Sequence, residues 1–131
     1  ELSPWRMEFV RSEQGGIVLN DAYNANPESM VAALRSLASV TATRRVAVLG
    51  PMAELGEASD AHHHDVAVLA RELGLEIVAV GTDAYGATPV PASGVPDVIG
   101  EVGPDTAVLV KASRVGGLEV VASALSGRRL Q

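Results

Sequence analysis

The chain has 131 residues, of which 47% are hydrophobic and 20% charged, and its formal net charge is -6. An acidic chain lacks the positive surface that binds a nucleic-acid backbone, and no apolar run approaches the roughly 20 residues that a membrane helix needs. The absence of cysteine excludes disulfides, thiolate metal sites and a cysteine nucleophile, and it agrees with a reducing cytoplasm. Only 3% of the residues are aromatic, so the core must be aliphatic, which favours α/β layers.

The first third of the chain predicts a pair of strands followed by a helix. Residues 7–10 and 17–19 are short apolar runs on either side of a polar turn at 12–16. Asn26 and Pro27 then mark a helix start, because asparagine accepts hydrogen bonds from free backbone N–H groups and proline at the first helical position loses none.

The rest of the chain alternates buried strands with helices. Ser59 is the expected N-cap of the second helix. The stretch 84–103 is rich in Pro and Gly, with a short helix expected within 95–102. The other predicted elements are strands at 46–49, 77–80 and 106–110 and helices at 59–73 and 118–125. This alternation predicts an α/β fold with a doubly wound, mostly parallel sheet and helices on both faces.

Polar loops follow the predicted strands, so we expect them to meet at the carboxyl edge of the sheet, where ligands bind in this fold class. The densest of them is 20–27, Asn-Asp-Ala-Tyr-Asn-Ala-Asn-Pro. One helix start does not need so many polar side chains, so Asp21 and Asn24 are predicted to contact a ligand, whereas Asn26 is better explained as the helix cap. The loop that begins at Lys111 carries cations and a hydroxyl suited to a phosphate or carboxylate. Taken alone, a solvated surface turn is the better explanation for it.

Several well-known sites are absent from the sequence. The three histidines at 62–64 are not predicted to bind zinc, because successive helical residues point about 100° apart. Of the three, His63 is the candidate to face the ligand edge. There is no Walker-type phosphate loop and no G-x-G-x-x-G after the first strand, and Gly50 stands where a phospho-receiver domain needs an aspartate. No arrangement typical of a self-contained hydrolase is present either.

Four motifs occur in an order that resembles one known family. They are Trp-Arg-Met-Glu at 5–8, the 20–27 string, Gly-Pro-Met-Ala-Glu-Leu-Gly at 50–56 with Ser59 and His63, and Val-Lys-Ala-Ser-Arg at 110–114. Together they resemble the C-terminal domain of the Mur ligases, which are bacterial cell-wall enzymes. The Tyr-Asn-Ala-Asn-Pro string resembles the branch of that family that adds D-Ala-D-Ala to UDP-MurNAc-tripeptide. Pro51 and Ala112 differ from the residues that the family often has at those positions.

The resemblance implies a cytoplasmic, ATP-dependent ligase of peptidoglycan precursor synthesis with three domains. The N-terminal domain would bind the UDP-sugar peptide, and the central domain would hold ATP and Mg²⁺. The third domain would close over the ATP and bring in the dipeptide, whose amine attacks an acyl phosphate. The chain begins at Glu1 rather than with methionine, and we expect it to be that third domain alone, at residues 1–131. Without the other two domains, which would be its partners, it is predicted to be inactive.

The resemblance also implies residue roles. Arg6 and Asp21 are expected to hold the nucleotide near its ribose, since a guanidinium and a carboxylate suit a sugar diol. Tyr23 and Asn24 would lie near the ATP phosphates or the reaction centre.

On the substrate side the resemblance implies Asn26 and the loop residues Lys111, Ser113 and Arg114, and which cation binds the dipeptide carboxylate stays open. Glu54 and His63 would shape the 50–56 loop. The family pattern implies no metal ligand and no catalytic residue in this chain.

Two other functions agree with the sequence. One is another amide ligase of the same superfamily, which would add a different amino acid to a related precursor. The other is a stand-alone nucleotide-binding module without catalysis.

Overall fold

The computed structural model describes residues 8–21, 26–52 and 56–111. In these residues the chain forms a five-stranded sheet. Its strands are β1 (Glu8–Arg11), β2 (Ile17–Asp21), β3 (Arg44–Leu49), β4 (Glu76–Ala79) and β5 (Thr106–Lys111). They lie in the order β1-β2-β5-β3-β4. β1 pairs antiparallel to β2, and the β2–β5, β5–β3 and β3–β4 pairs are parallel.

Within the described residues, three helices connect these strands and cover both faces of the sheet. They are α1 (Pro27–Ser39), α2 (Ser59–Glu72) and α3 (Val95–Ile99). α1 and α2 pack on one face, where Leu34 and Ala67 join a core with Leu49 and Leu109 of the strands. The opposite face packs against α3, whose residues join a second core, made mostly of valines.

The order of the strands accounts for this division of the helices. The connections through α1 and α2 move outward from β2 towards β4, whereas the connection through α3 returns from β4 to the middle of the sheet at β5. Right-handed crossovers that run in opposite directions place their helices on opposite faces. Strands β3 and β5 are therefore apolar along most of their length, and the predicted α/β fold is confirmed.

Local signals set the start of α1. The Asn26 side chain accepts a hydrogen bond from the Ser29 N–H at 2.9 Å, and the Ser29 hydroxyl accepts one from the Asn26 N–H at 3.1 Å. This reciprocal capping box confirms the expected capping role of Asn26. Met30 and Leu37 on the same helix are fully buried, as the helical spacing predicts.

Two sequence predictions about element ends are wrong. Ser59 is not the N-cap of α2, because a 3-10 turn at Gly56–Ala58 leads directly into the helix and makes Ser59 its first residue. Lys111 does not begin a loop, because the pairing of β5 with β2 and β3 extends the strand through that residue. The other two helix predictions have different outcomes. The helix predicted within 95–102 is confirmed as α3 and is shorter than expected. The helix predicted at 118–125 lies outside the described residues. No helix in the described ranges is long and apolar enough to cross a membrane.

The turn between β1 and β2 packs tightly against the segment that leads into β5. The Gly16 N–H donates to the Val102 carbonyl at 3.0 Å. A Cβ at Gly16 would lie 2.4 Å from the Gly103 oxygen and 2.5 Å from the Val102 oxygen. Backbone atoms surround this position, so it has no room for a side chain.

We therefore expect Gly16→Ala to lower the free energy of unfolding by about 1–3 kcal/mol, the usual range for overpacking. Gly103→Ala is the matched control, because a Cβ there meets nothing within 4 Å. Urea unfolding of both variants measures the difference. Equal stability of the two variants would contradict the close contact at Gly16.

An ion pair joins strand β3 to the edge strand β4. Arg44 donates from Nε and Nη2 to the two carboxylate oxygens of Glu76, each at 3.0 Å, and from Nη1 to the Ile99 carbonyl at 2.7 Å. The hydrogen bond from Arg44 lowers the pKa of Glu76 below its usual value. The side chains are 36% and 51% exposed, so solvent screens the pair.

We expect Glu76→Gln to cost less than about 1 kcal/mol at pH 7. Because the folded-state pKa of Glu76 is depressed, the stabilisation is present above its unfolded pKa and is lost as the pH falls through the folded pKa. The difference in unfolding free energy between wild type and Glu76→Gln should therefore vanish in acid. Glu101→Gln, at an exposed carboxylate, is the control. A difference that persists at low pH would rule out the ion pair as its cause.

Candidate functional site

A buried ion pair lies at the carboxyl edge of the sheet. Asp21 and Lys111 are the last residues of β2 and β5 and stand opposite each other in the parallel register. Lys111 Nζ lies 2.9 Å from Asp21 Oδ2. Asp21 is 5% exposed and Lys111 is 1% exposed. Burying either charge alone would be costly, so each residue depends on the other for its place.

The second carboxylate oxygen of Asp21 is left for other donors. Oδ1 is buried and has no hydrogen-bond partner among the described residues. Asp21 borders a cleft of about 440 Å³ that runs along α1. The other lining residues are Asn26, Glu28, Ser29, Ala32, Ala33 and Ser36. A carboxylate with one oxygen neutralised and one available suits a ligand that donates hydrogen bonds, such as a hydroxyl group.

The next loop along this edge is the turn at residues 50–52, here called turn 50–52. The Gly50 N–H donates to the Lys111 carbonyl at 2.9 Å. The Met52 N–H donates to His63 Nε2 at 3.0 Å, and His63 Nδ1 lies 2.6 Å from the Ser59 carbonyl. A carbonyl can only accept, so Nδ1 carries the ring proton and Nε2 is the acceptor. Nε2 therefore contacts turn 50–52, whereas Nδ1 fixes the ring to the first turn of its own helix, α2.

Tyr85 completes the support of this turn. Its hydroxyl donates to the Gly50 carbonyl at 2.6 Å, and its ring meets the His63 ring edge-on at 5.0 Å. Burial raises the pKa of Tyr85 well above its usual value, so the hydroxyl keeps its proton and remains a donor. The Tyr85 carbonyl accepts a hydrogen bond from Arg71 Nη2 at 3.1 Å.

The structure brings together some of the predicted site residues. Asp21 and Lys111, expected in two different ligand sites, form one pair. Asn26 borders the same cleft, although its side chain is used for capping. His63, which is expected to shape the 50–56 loop, contacts turn 50–52 through the Met52 N–H. The remaining predicted residues lie outside the described ranges: Arg6, Tyr23, Asn24, Glu54, Ser113 and Arg114.

Sequence reasoning missed Tyr85. It lies in the stretch 84–103, where Pro and Gly leave no helical or strand periodicity to interpret. The one available signal was its rarity, because the chain has only two tyrosines and 3% aromatic residues. Among the described residues, no group of three histidine or acidic side chains could hold a metal ion.

Removal of either partner of the ion pair should be strongly destabilising. We expect Lys111→Met, and separately Asp21→Asn, to lower the free energy of unfolding by about 3–5 kcal/mol, because each leaves a buried charge without its counterion. The double variant should lose less than the sum of the two single losses, since no unpaired charge remains. Urea unfolding of the four proteins gives the coupling energy. Strictly additive losses would contradict the pairing.

Comparison with known proteins places the chain in a family. Residues 5–93 match the family model described as Mur ligase, glutamate ligase domain. The UDP-N-acetylmuramoyl-tripeptide--D-alanyl-D-alanine ligase of Mycobacterium tuberculosis (strain CDC 1551 / Oshkosh) is 37% identical, over 95% of this chain and 31% of that protein. The ligase of the same name from Escherichia coli (strain K12) is 37% identical over 63% of this chain and 18% of that protein.

Solved structures agree with this placement. A crystal structure of MurF from Acinetobacter baumannii superposes with a TM-score of 0.81 and 30% identity, over 98% of this chain and 31% of that one. MurF ligase from Thermotoga maritima, solved in complex with ADP, superposes with a TM-score of 0.77 over 97% of this chain and 31% of that one. At 23% identity this second likeness concerns the fold alone. The match thus spans about a third of the length of the Mycobacterium tuberculosis ligase and of both solved structures. By sequence and by fold, it belongs to the Mur ligase family and carries that family's C-terminal, glutamate ligase domain.

Proposed function

We propose that the chain is the C-terminal domain of an ATP-dependent ligase that joins D-Ala-D-Ala to UDP-MurNAc-tripeptide. This reaction would serve peptidoglycan precursor synthesis in the bacterial cytoplasm. The Mycobacterium tuberculosis protein named UDP-N-acetylmuramoyl-tripeptide--D-alanyl-D-alanine ligase matches nearly the whole chain, at 37% identity over 95% of its length. The observation that carries the proposal is the buried pair of Asp21 and Lys111, which joins two of the four family motifs at the ligand edge of the sheet.

The proposal requires a larger protein than this chain. Because the chain spans 31% of its full-length relatives, we propose that residues 1–131 are one domain whose partners are N-terminal and central domains of the same enzyme. Magnesium would be held mainly by the central domain. The chain alone would be inactive, since the sequence has no phosphate loop to hold a nucleotide's phosphates.

Within this proposal, Asp21 accepts hydrogen bonds from the ribose hydroxyls of the nucleotide and Arg6 lies beside it. Lys111 holds Oδ2 of Asp21, so it leaves Oδ1 for the sugar and keeps the carboxylate charge balanced. Tyr23 and Asn24 lie near the phosphates. ATP supplies the phosphoryl group that activates the terminal carboxylate of the tripeptide substrate.

On the other side of the reaction, Asn26, Lys111, Ser113 and Arg114 form the substrate side of the site. The residues that follow Lys111 are the part of this set that offers a second cation and a hydroxyl. Their contribution is to position the dipeptide amine and its carboxylate, which is the main way in which a closing domain accelerates a two-substrate reaction.

The decisive assay measures phosphate release by the full-length parent protein with ATP, Mg²⁺ and UDP-MurNAc-tripeptide, with and without D-Ala-D-Ala. We expect release only with the dipeptide. Arg6→Ala should raise the KM for ATP about ten- to a hundredfold, because it removes a charged hydrogen bond. Arg11→Ala is the matched control, since Arg11 pairs with Ile17 at the opposite end of the sheet.

The other outcomes of this assay favour other functions. Release that depends on a different amino acid would indicate a sister ligase of the superfamily. Nucleotide binding without any release would indicate a nucleotide-binding module. Phosphate release by the isolated chain would contradict the need for the other domains.

A further inference from the structure

We infer that Tyr85 is a positioning residue that holds turn 50–52 against the backbone of Lys111. The kinetic consequence of this role rests on the proposed function. The inference itself follows from an unbroken series of contacts that starts at the buried ion pair and ends at the Tyr85 hydroxyl.

Gly50 is the link between the ion pair and Tyr85. Its N–H donates to the Lys111 carbonyl at 2.9 Å, and its carbonyl accepts from the Tyr85 hydroxyl at 2.6 Å. Both polar groups of one buried residue are thus bound to other segments. Two residues later, the Met52 N–H donates to His63 of α2. The turn is therefore shaped by groups from β5, from α2 and from the segment after β4.

Tyr85 can hold the Gly50 carbonyl in place because contacts with other residues fix Tyr85 itself. Arg71 Nη2 donates to the Tyr85 carbonyl at 3.1 Å. Within the same segment, the Ala84 N–H donates to Thr82 Oγ1 at 3.1 Å, and the Gly86 N–H donates to the Asp83 carbonyl at 3.1 Å. The ring packs edge-on against His63 and is 1% exposed.

Removal of the Tyr85 hydroxyl leaves the Gly50 carbonyl buried without this donor. A buried carbonyl without a donor is unfavourable, because it has lost water and gained no hydrogen bond. Turn 50–52 should therefore shift relative to Lys111 until the Gly50 carbonyl finds another donor. Lys111 leads directly into Ser113 and Arg114, which the proposed function assigns to the substrate side. The turn contacts Lys111 only at its carbonyl, and the Lys111 side chain stays paired with Asp21. A shift of that backbone therefore affects dipeptide binding more than nucleotide binding.

The test compares Tyr85→Phe with Ile99→Val in the full-length parent protein. Phenylalanine keeps the ring and removes the hydroxyl alone. Ile99→Val removes one methylene group from the core on the opposite face of the sheet, so it reports the effect of a destabilised core. Hydrogen exchange at the Gly50 and Met52 amides is measured first. We expect about tenfold faster exchange in Tyr85→Phe, the factor for one lost hydrogen bond, and no change in Ile99→Val.

Kinetics provide the second readout. We expect Tyr85→Phe to raise the KM for D-Ala-D-Ala about tenfold while the KM for ATP changes less than about twofold. Arg71→Ala, at an exposed side chain, should shift both readouts in the same direction and by less, because it releases only the anchor of Tyr85. This variant decides the question if Tyr85→Phe does not fold.

The outcomes separate this inference from the proposed function. Unchanged amide exchange in Tyr85→Phe and Arg71→Ala would overturn the inference, whatever the kinetics. Dipeptide-dependent release in wild type with an unchanged KM for the dipeptide in both variants would also overturn it, and the proposed function would stand. If wild type shows no dipeptide-dependent release, the proposed function fails, and the exchange rates alone then decide the role of Tyr85.

Discussion

The pairing of Asp21 with Lys111 is the constraint on which the ligand edge depends. Two opposite charges are removed from water at the ends of adjacent parallel strands, and neither would be tolerated there alone. This pair requires β2 and β5 to be neighbours in register to their last residues. β5 also pairs with β3, and the Lys111 carbonyl accepts a hydrogen bond from the Gly50 N–H. The backbone of the same lysine therefore fixes the position at which turn 50–52 begins. One electrostatic contact thus aligns three strands where ligands are expected.

The two cores explain how the sheet provides a stable base for this edge. Leucines and alanines fill the space between the sheet and helices α1 and α2. Valines line the other face of the sheet, which packs against the short helix α3. Valine suits such a face, because β-branched side chains pack well against their neighbours on a pleated surface. The polar residues of the strands are confined to their ends, so burial and ligand contacts do not compete for the same positions.

Periodicity and local signals predict much of this fold. Continuous apolar runs indicate buried strands, and the capping signal at Asn26 correctly marks the start of α1. Periodicity does not state which strands are neighbours, so the pairing of Asp21 with Lys111 could not be predicted even though both residues were candidates. The expected cap at Ser59 is wrong because a preceding 3-10 turn supplies the helix start in its place. Tyr85 was missed because its contacts are entirely tertiary, and its sequence neighbours form no regular element.

The direction of β1, antiparallel to β2, determines where the chain enters the sheet. β1 runs against the other strands, so its first residue, Glu8, stands opposite Asn20 at the carboxyl edge of the sheet. A parallel first strand would have entered from the far end. The chain therefore enters β1 at the ligand edge, next to the end of β2. A rotation about the point where the chain enters β1 would therefore turn the domain while displacing its ligand edge only slightly.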